Sequence, residues 1–229
     1  MIKLNFTEFE NQATIGEGIY TIPDLAQILK QPIDKVRRWV DSFFDDKFAN
    51  EFKANYSWKV DKSKAVNFHT MIELVSMFNL SKQGLSTREI VKGHNSLVKM
   101  YHTPHPYADK KVMEELKING KKLIANLDGS YVNTDGSNQL NFHFISQLLE
   151  SIDFDDNLAV RYYPMGKEKS IVIDPKRKFG SAVVGDTNIY PETLYSYYKG
   201  GESIKYIAAL FEIDEQMVKD AISFCKQAA

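Results

Sequence analysis

The chain has one cysteine, Cys225, among 229 residues. A lone cysteine cannot close an internal disulfide, so the core alone must hold the fold, and a reducing compartment is expected. No apolar run reaches the roughly 18 residues that a membrane-spanning helix needs. The opening MIKLNFTEFENQ lacks the apolar stretch of a secretion signal, so the cytoplasm is the expected location. Net charge is scarce too, at −1, which argues against indiscriminate coating of polyanions. Lys and Arg slightly outnumber Asp and Glu in residues 1–100 and are outnumbered in residues 140–229. Phosphate-cradling GxxxxGK[ST] and GxGxxG patterns are absent, as are HExxH and Cys/His ladders. His102 and His105, with Asp109 near and His143 distant, make a weak metal set because the first two sit among prolines in an expected loop. Asp153, Asp155 and Asp156 read as a loop after a helix, with no second acidic motif to complete a nuclease centre. Neither enzyme activity nor a metal or other cofactor is therefore expected.

A hydrophobic share of 43 % can support a real core. The most informative stretch is YTIPDLAQILKQPIDKVRRWVDSF, from Tyr20 to Phe43. Thr21 as N-cap, Pro23 in the first turn and Asp24 next to it predict a helix start. Leu25, Ile28 and Leu29 give that helix an apolar face, and Pro32 ends it. A second helix is predicted from Asp34 to Phe44, with Val36, Trp39, Val40 and Phe43 as its buried stripe. Lys35, Arg37 and Arg38 fall off that stripe. This is the layout of a helix-turn-helix, whose second helix fits the major groove of DNA.

Tyr56, Trp58 and Val60 alternate with polar residues and lead through Asp61–Lys64 to Val66 and Phe68. That pattern predicts a hairpin with a basic tip, a wing. Helices are predicted over Phe68–Leu80 and, from a Ser86/Glu89 capping box, up to Tyr101. HTPHPYADKK reads as a loop. KLIANL and YVN, around Asn119-Gly120 and Asp128-Gly129, suggest short hairpin strands. Phe142–Ile152 reads as a helix, AVRYYP and SIVIDP as strands, and the stretch after Asp174-Pro175 as loop. Pro191–Tyr198, Ser203–Phe211 and Glu215–Lys226 read as helices. IAALFEIDEQMVKDAISF echoes LAQILKQPIDKVRRWVDSF, with Ala208 and Val218 spaced as Ala26 and Val36 are. Its second helix is near neutral, which suits packing or protein binding better than phosphates. The expected fold class is α+β and mainly helical: a winged helix-turn-helix over 1–108, a central hairpin-and-helix region over 109–170, and a small helical domain over 171–229.

YTIPDLAQIL, VRRW and VNFHTMIELVSMFNLSKQGLSTREI resemble a MerR-like winged helix-turn-helix. SIVIDPKRKFGSAVVGDTNIYPETLYSYYKGGESIKYIAALFEIDEQMVKDAISF is similar to the family called domain of unknown function 433. The pair together resembles VapB-type antitoxins, with departures at Asn188, where relatives carry Arg, and at Tyr190, where they carry Pro. The resemblance implies an antitoxin that represses its own operon and is coupled to a PIN-like ribonuclease toxin. In that scheme Lys35, Arg37 and Arg38 meet double-stranded DNA in the major groove, and Lys59, Lys62 and Lys64 on the wing grip flanking phosphates. Operator-scale affinity then calls for a homodimer. Two other readings remain open. One is a MerR-like sensor with a small-molecule pocket lined by Tyr131, Phe142, Phe144, Tyr162 and Tyr163. The other is a protein-interaction module that has lost DNA binding.

Overall fold

In the computed structural model, residues 16–52, 54–60, 62–116 and 142–227 are described. The fold is α+β and mainly helical, with two small antiparallel sheets. A two-residue strand, β1 (Tyr20–Thr21), leads into α1 (Ile22–Leu29). Thr21 and Asp24 form the reciprocal capping box that the sequence suggests, with Thr21 N donating to Asp24 Oδ2 at 2.9 Å. Lys30 closes α1 in the left-handed conformation, φ 52°.

α2 (Ile33–Trp39) does not stop near Phe44 as expected. It runs on through a π-helical stretch, Val40–Phe48, into α3 (Ala49–Phe52). The cause lies in the spacing of the apolar residues. Val36, Val40, Phe44, Phe48 and Phe52 recur every fourth position, and each is at most 1 % exposed. On a helix of 3.6 residues per turn such a stripe drifts by about 40° per step. The wider π turn keeps the phenylalanines on one side. Phe44 therefore takes the core position expected for Phe43, which is only half-buried.

β2 (Trp58–Val60) and β3 (Ser63–Val66) form the expected hairpin, and β1 adds to β3, giving the order β1-β3-β2. α4 (Phe68–Lys82) and α5 (Thr87–Tyr101) follow, the latter starting at the Ser86/Glu89 capping box. The proline-rich segment after them is no surface loop. Pro104 to Ala108 are buried, Pro106–Ala108 forms a 3-10 turn, and residues 110–116 are helical (α6). The backbone polar groups of this segment are satisfied from α4, where Glu73 Oε1 accepts from Tyr107 N at 2.7 Å and Ala108 N at 3.0 Å. The predicted hairpin strands around Asn119-Gly120 and Asp128-Gly129 lie outside the described residues.

α7 (Phe142–Glu150) precedes a second sheet in the order β4-β5-β6-β7, formed by Ile152–Asp155, Leu158–Tyr162, Ile171–Ile173 and Ala182–Val184. The sequence reading missed β4 and β7. The expected boundary between 170 and 171 falls inside this sheet, because Tyr162 pairs with Ile173. α8 (Pro191–Lys199), α9 (Ile204–Phe211) and α10 (Glu215–Gln227) complete the chain. One apolar cluster runs from Tyr20 to Ile173 and a second joins Ile171 and Val184 to α8, α9 and α10. Among the described residues no helix is long and apolar enough to cross a membrane.

Candidate nucleic-acid interface

The two residues Gln31 and Pro32 separate the left-handed Lys30 from α2. Gln31 N donates to Ala26 O at 3.0 Å, which turns the chain sharply, and α2 then sets Trp39 of its stripe against α4. Trp39 stacks on Phe78 with ring centroids 4.3 Å apart. That packing fixes the rotation of α2 and leaves Arg37 and Arg38 exposed on the opposite side. Arg37 Nη1 lies 3.1 Å from Asp34 Oδ1 in an open pair, the kind worth about 0–1 kcal/mol. Arg38 has no ion-pair or hydrogen-bond partner among the described residues.

Lys35 does not join them. Its ammonium binds Gln31 Oε1 at 2.8 Å and sits over the Phe78 ring, so it braces the turn from inside. Lys64 is likewise committed. Its Nζ lies 2.6 Å from Asp41 and 2.6 Å from Asp45, and Asp45 also takes Ser57 Oγ at 2.8 Å. Burial alone would lower the Lys64 pKa, but the two carboxylates outweigh it and raise it. Lys64 is thus the tether that fixes the hairpin to the helix, not a free phosphate ligand. Asp41 lies one turn beyond Arg37 and Arg38, so the tether ties the hairpin to the turn that follows both arginines. Lys59, directly opposite Lys64 in the sheet, and Lys62, at the turn, are exposed. The six expected residues therefore divide into four open cations (Arg37, Arg38, Lys59 and Lys62) and two structural ones, Lys35 and Lys64.

The clamp was legible in part. Lys64 shares strand parity with buried Val66, and Asp41 and Asp45 are spaced to form a two-carboxylate claw. What the sequence did not reveal is that the claw and the lysine meet.

The echo is real in geometry. α9 ends on left-handed Glu212, φ 54°, as α1 ends on Lys30, and Ile213 N donates to Ala208 O at 3.0 Å as Gln31 does to Ala26. Thr21, Ile22, Leu25, Ala26, Leu29, Lys30 and Val36 match Ser203, Ile204, Ile207, Ala208, Phe211, Glu212 and Val218 in order and spacing. The second unit puts Asp220 where Arg38 stands in the first. Asp220 is buried and accepts from Ser170 N at 3.0 Å, Lys169 Nζ at 3.1 Å and Gln216 Nε2 at 2.8 Å.

The other sequence candidates disperse. His102 is an exposed helix cap, whereas His105 is buried with Nε2 3.0 Å from Thr70 Oγ1. Among the described residues no three His, Cys, Asp or Glu converge on a metal position. Asp153 is on β4, bound to Lys167 at 2.5 Å and to the Tyr163 hydroxyl at 2.9 Å, and Asp156 turns the β4–β5 hairpin. That segment is a strand and its turn, where a loop was expected. Tyr162 and Tyr163 border an open groove of about 820 Å³ between the end of α4, α7 and the β5–β6 connection. Tyr131 and the side chains of His143, Phe142 and Phe144 lie outside the described residues.

Comparison with known proteins sets the fold in context. A family model described as a protein of unknown function (DUF433) matches residues 171–225, from β6 into α10. No curated protein matches the chain. The crystal structure of Rv2018 from Mycobacterium tuberculosis superposes with a TM-score of 0.69 over 93 % of this chain and 99 % of that one, at 17 % identity, so the two share a fold.

Proposed function

We propose that this chain is a double-stranded DNA-binding regulator that works as a symmetric dimer. Its MerR-like reader is the α1–turn–α2 unit with the β2–β3 wing. The observation that carries this reading is the Lys64 clamp, which ties the hairpin bearing exposed Lys59 and Lys62 to the helix bearing exposed Arg37 and Arg38. α2 supplies the arginines to the major groove, where the guanidinium fork pairs with guanine O6 and N7 or with phosphate. The lysines of the wing take flanking phosphates. Asp34 releases Arg37 at little cost, since the open pair is weak.

The test is fluorescence anisotropy with DNA from upstream of the gene. Arg37→Ala with Arg38→Ala should weaken binding at least tenfold and lower the slope of log K against log salt by about 2. Unchanged affinity and slope would remove α2 as the reader. Lys35→Met and Lys64→Met should leave that slope nearly unchanged, because neither ammonium is free for phosphate.

The same reading extends to autorepression and to a VapB-type antitoxin role. The resemblance of both halves to VapB-type antitoxins is what suggests that extension. Co-expression with the neighbouring gene should then yield a stable complex with a PIN-like ribonuclease and abolish its RNA cleavage. A second reading, a small-molecule sensor, is favoured by the groove beside Tyr162 and Tyr163. It requires DNA affinity to change with ligand while no toxin co-purifies.

A further inference from the structure

We infer that the loop Lys176–Phe179 of the C-terminal unit is a second DNA contact: Lys176 and Lys178 bind backbone phosphates and Phe179 packs on the adjoining deoxyribose. The inference rests on the DNA-binding reading above and adds an element outside the winged unit.

Three successive residues, Lys178, Phe179 and Gly180, hold left-handed conformations with φ of 47°, 57° and 89°. The first two carry side chains that disfavour this region. Such strain persists only where the surroundings enforce it, and it gathers where a side chain must be presented. Core packing gives no reason for it here, since Phe179 is 68 % exposed, the highest value among the exposed large apolar side chains. The surroundings do enforce it. The Arg177 guanidinium donates to Gly185 O at 3.0 Å and to Thr187 O, and Asp174 Oδ1 accepts from Lys176 N at 2.9 Å. Gly180 N donates to Arg177 O at 2.8 Å. The tip is therefore a rigid mount that presents the Phe179 ring directly after two exposed lysines, Lys176 and Lys178, the second with its ammonium 5.5 Å from the centroid of the Tyr190 ring.

The place of the mount points to DNA. Phe179 O accepts from Ile19 N at 2.8 Å, two residues before the Thr21 cap of α1, and buried Gly180 packs against Tyr20. The loop is fastened to the start of the first helix of the unit, and the first helix of such a unit crosses the DNA backbone. The exposed charges of the loop itself are both positive. Of the nearby carboxylates, Asp24 is committed to the α1 cap and Asp174 to Arg161 at 2.9 Å, while Glu17 and Asp186 are exposed. Lysines are depleted from the cores of protein interfaces, whereas lysines beside an exposed aromatic ring suit a nucleic-acid backbone.

The test uses the full-length protein and two duplexes of upstream DNA, one limited to the reader's half-site and one extended by about one helical turn past the α1 side. On the extended duplex, Lys176→Ala with Lys178→Ala should weaken binding about tenfold and lower the salt slope by about 2. Phe179→Ala should weaken it several-fold with the slope unchanged. On the short duplex, neither variant should differ from the parent. If the parent binds the extended duplex and the loop variants match it in affinity and slope, the loop contact is overturned while DNA binding stands. If the variants keep DNA affinity but change the oligomeric state, the loop is a protein contact and the inference falls. If the parent binds neither duplex, both readings fall together.

Discussion

Tyr20 occupies the joint between the winged unit and the C-terminal unit, and its surroundings make two opposite expectations. Its ring lies against Gly18 and Gly180, and its hydroxyl is buried with no hydrogen-bond partner among the described residues. Burial, aided by Asp174 and then Asp24, raises the pKa of that hydroxyl well above its ordinary value, so it stays protonated. A buried donor without a partner is a cost, so Tyr20→Phe should be neutral or more stable by up to about 1 kcal/mol. Gly180→Ala should do the reverse. Its Cβ would sit 2.7 Å from Tyr20 Cζ and 3.1 Å from Gly18 Cα, at a residue whose φ is 89°. Left-handed strain and overpacking together should destabilise by about 2–4 kcal/mol. Combining Tyr20→Phe with Gly180→Ala should recover part of the loss, because the hydroxyl oxygen is the atom that the new methyl meets first. Urea unfolding of the four proteins measures all three effects. Additive losses in the double variant would mean that the two side chains do not share this space.

At the level of elements, the two α–turn–α units offer a paired comparison. Lys30 and Glu212 cap α1 and α9 in the same left-handed conformation, one that costs an L side chain about 1–2 kcal/mol. Glycine relieves that cost but is freer in the unfolded chain. Lys30→Gly and Glu212→Gly should therefore each stabilise by about 0.5–1 kcal/mol in urea unfolding; a loss at either position would show that its turn depends on the side chain. Local signals of this kind explain which elements were legible. Thr21/Asp24, Ser86/Glu89, Pro191 and Ser203 announce helix starts, and the structure places helices there. β4 was overlooked although IDFD alternates with the period of a strand, because its four residues follow directly on α7 and the three nearby aspartates read as a loop. β7 has only three residues, set in a glycine-bearing stretch. The π continuation of α2 was hidden because a stripe stepping strictly by four drifts off the face of a 3.6-residue helix, so Phe48 and Phe52 do not register with Val36. Within the interface, the exposed arginines were readable from helix periodicity. The inward turn of Lys35 and the Lys64 clamp depend on partners that are distant in sequence or in the fold.

At the scale of the whole molecule, a buried polar seam ties α4 to α5, the 106–108 turn and β5. Glu73 is fully buried, with Oε1 capping two backbone N–H groups and Oε2 3.0 Å from His94 Nε2. His105 Nε2 meets Thr70 Oγ1, and His69 Nε2 lies 3.2 Å from Ala159 O on β5. Burial, then the neighbouring His69 and His94, pushes His105 well below the ordinary histidine value, and burial lowers His69 despite the Ala159 carbonyl. Both rings are therefore neutral in the fold at pH values where the unfolded chain takes up protons. Stability from this source is present above the unfolded value of about 6.5 and is lost as pH falls below it, by at most about 1.4 kcal/mol per pH unit for a histidine that stays neutral in the fold. Glu73 works in the opposite sense. Burial raises its pKa against the pull of His94 and the two backbone donors, so its protonation at lower pH slows the loss. Unfolding free energy of the parent should thus fall steadily from pH 7 to pH 5.5. In His105→Asn the fall should be shallower, by a difference that grows toward about 1.4 kcal/mol per pH unit at the acid end of that range. An unchanged slope would mean that His105 accepts its proton within the folded core, and that the seam does not restrain it.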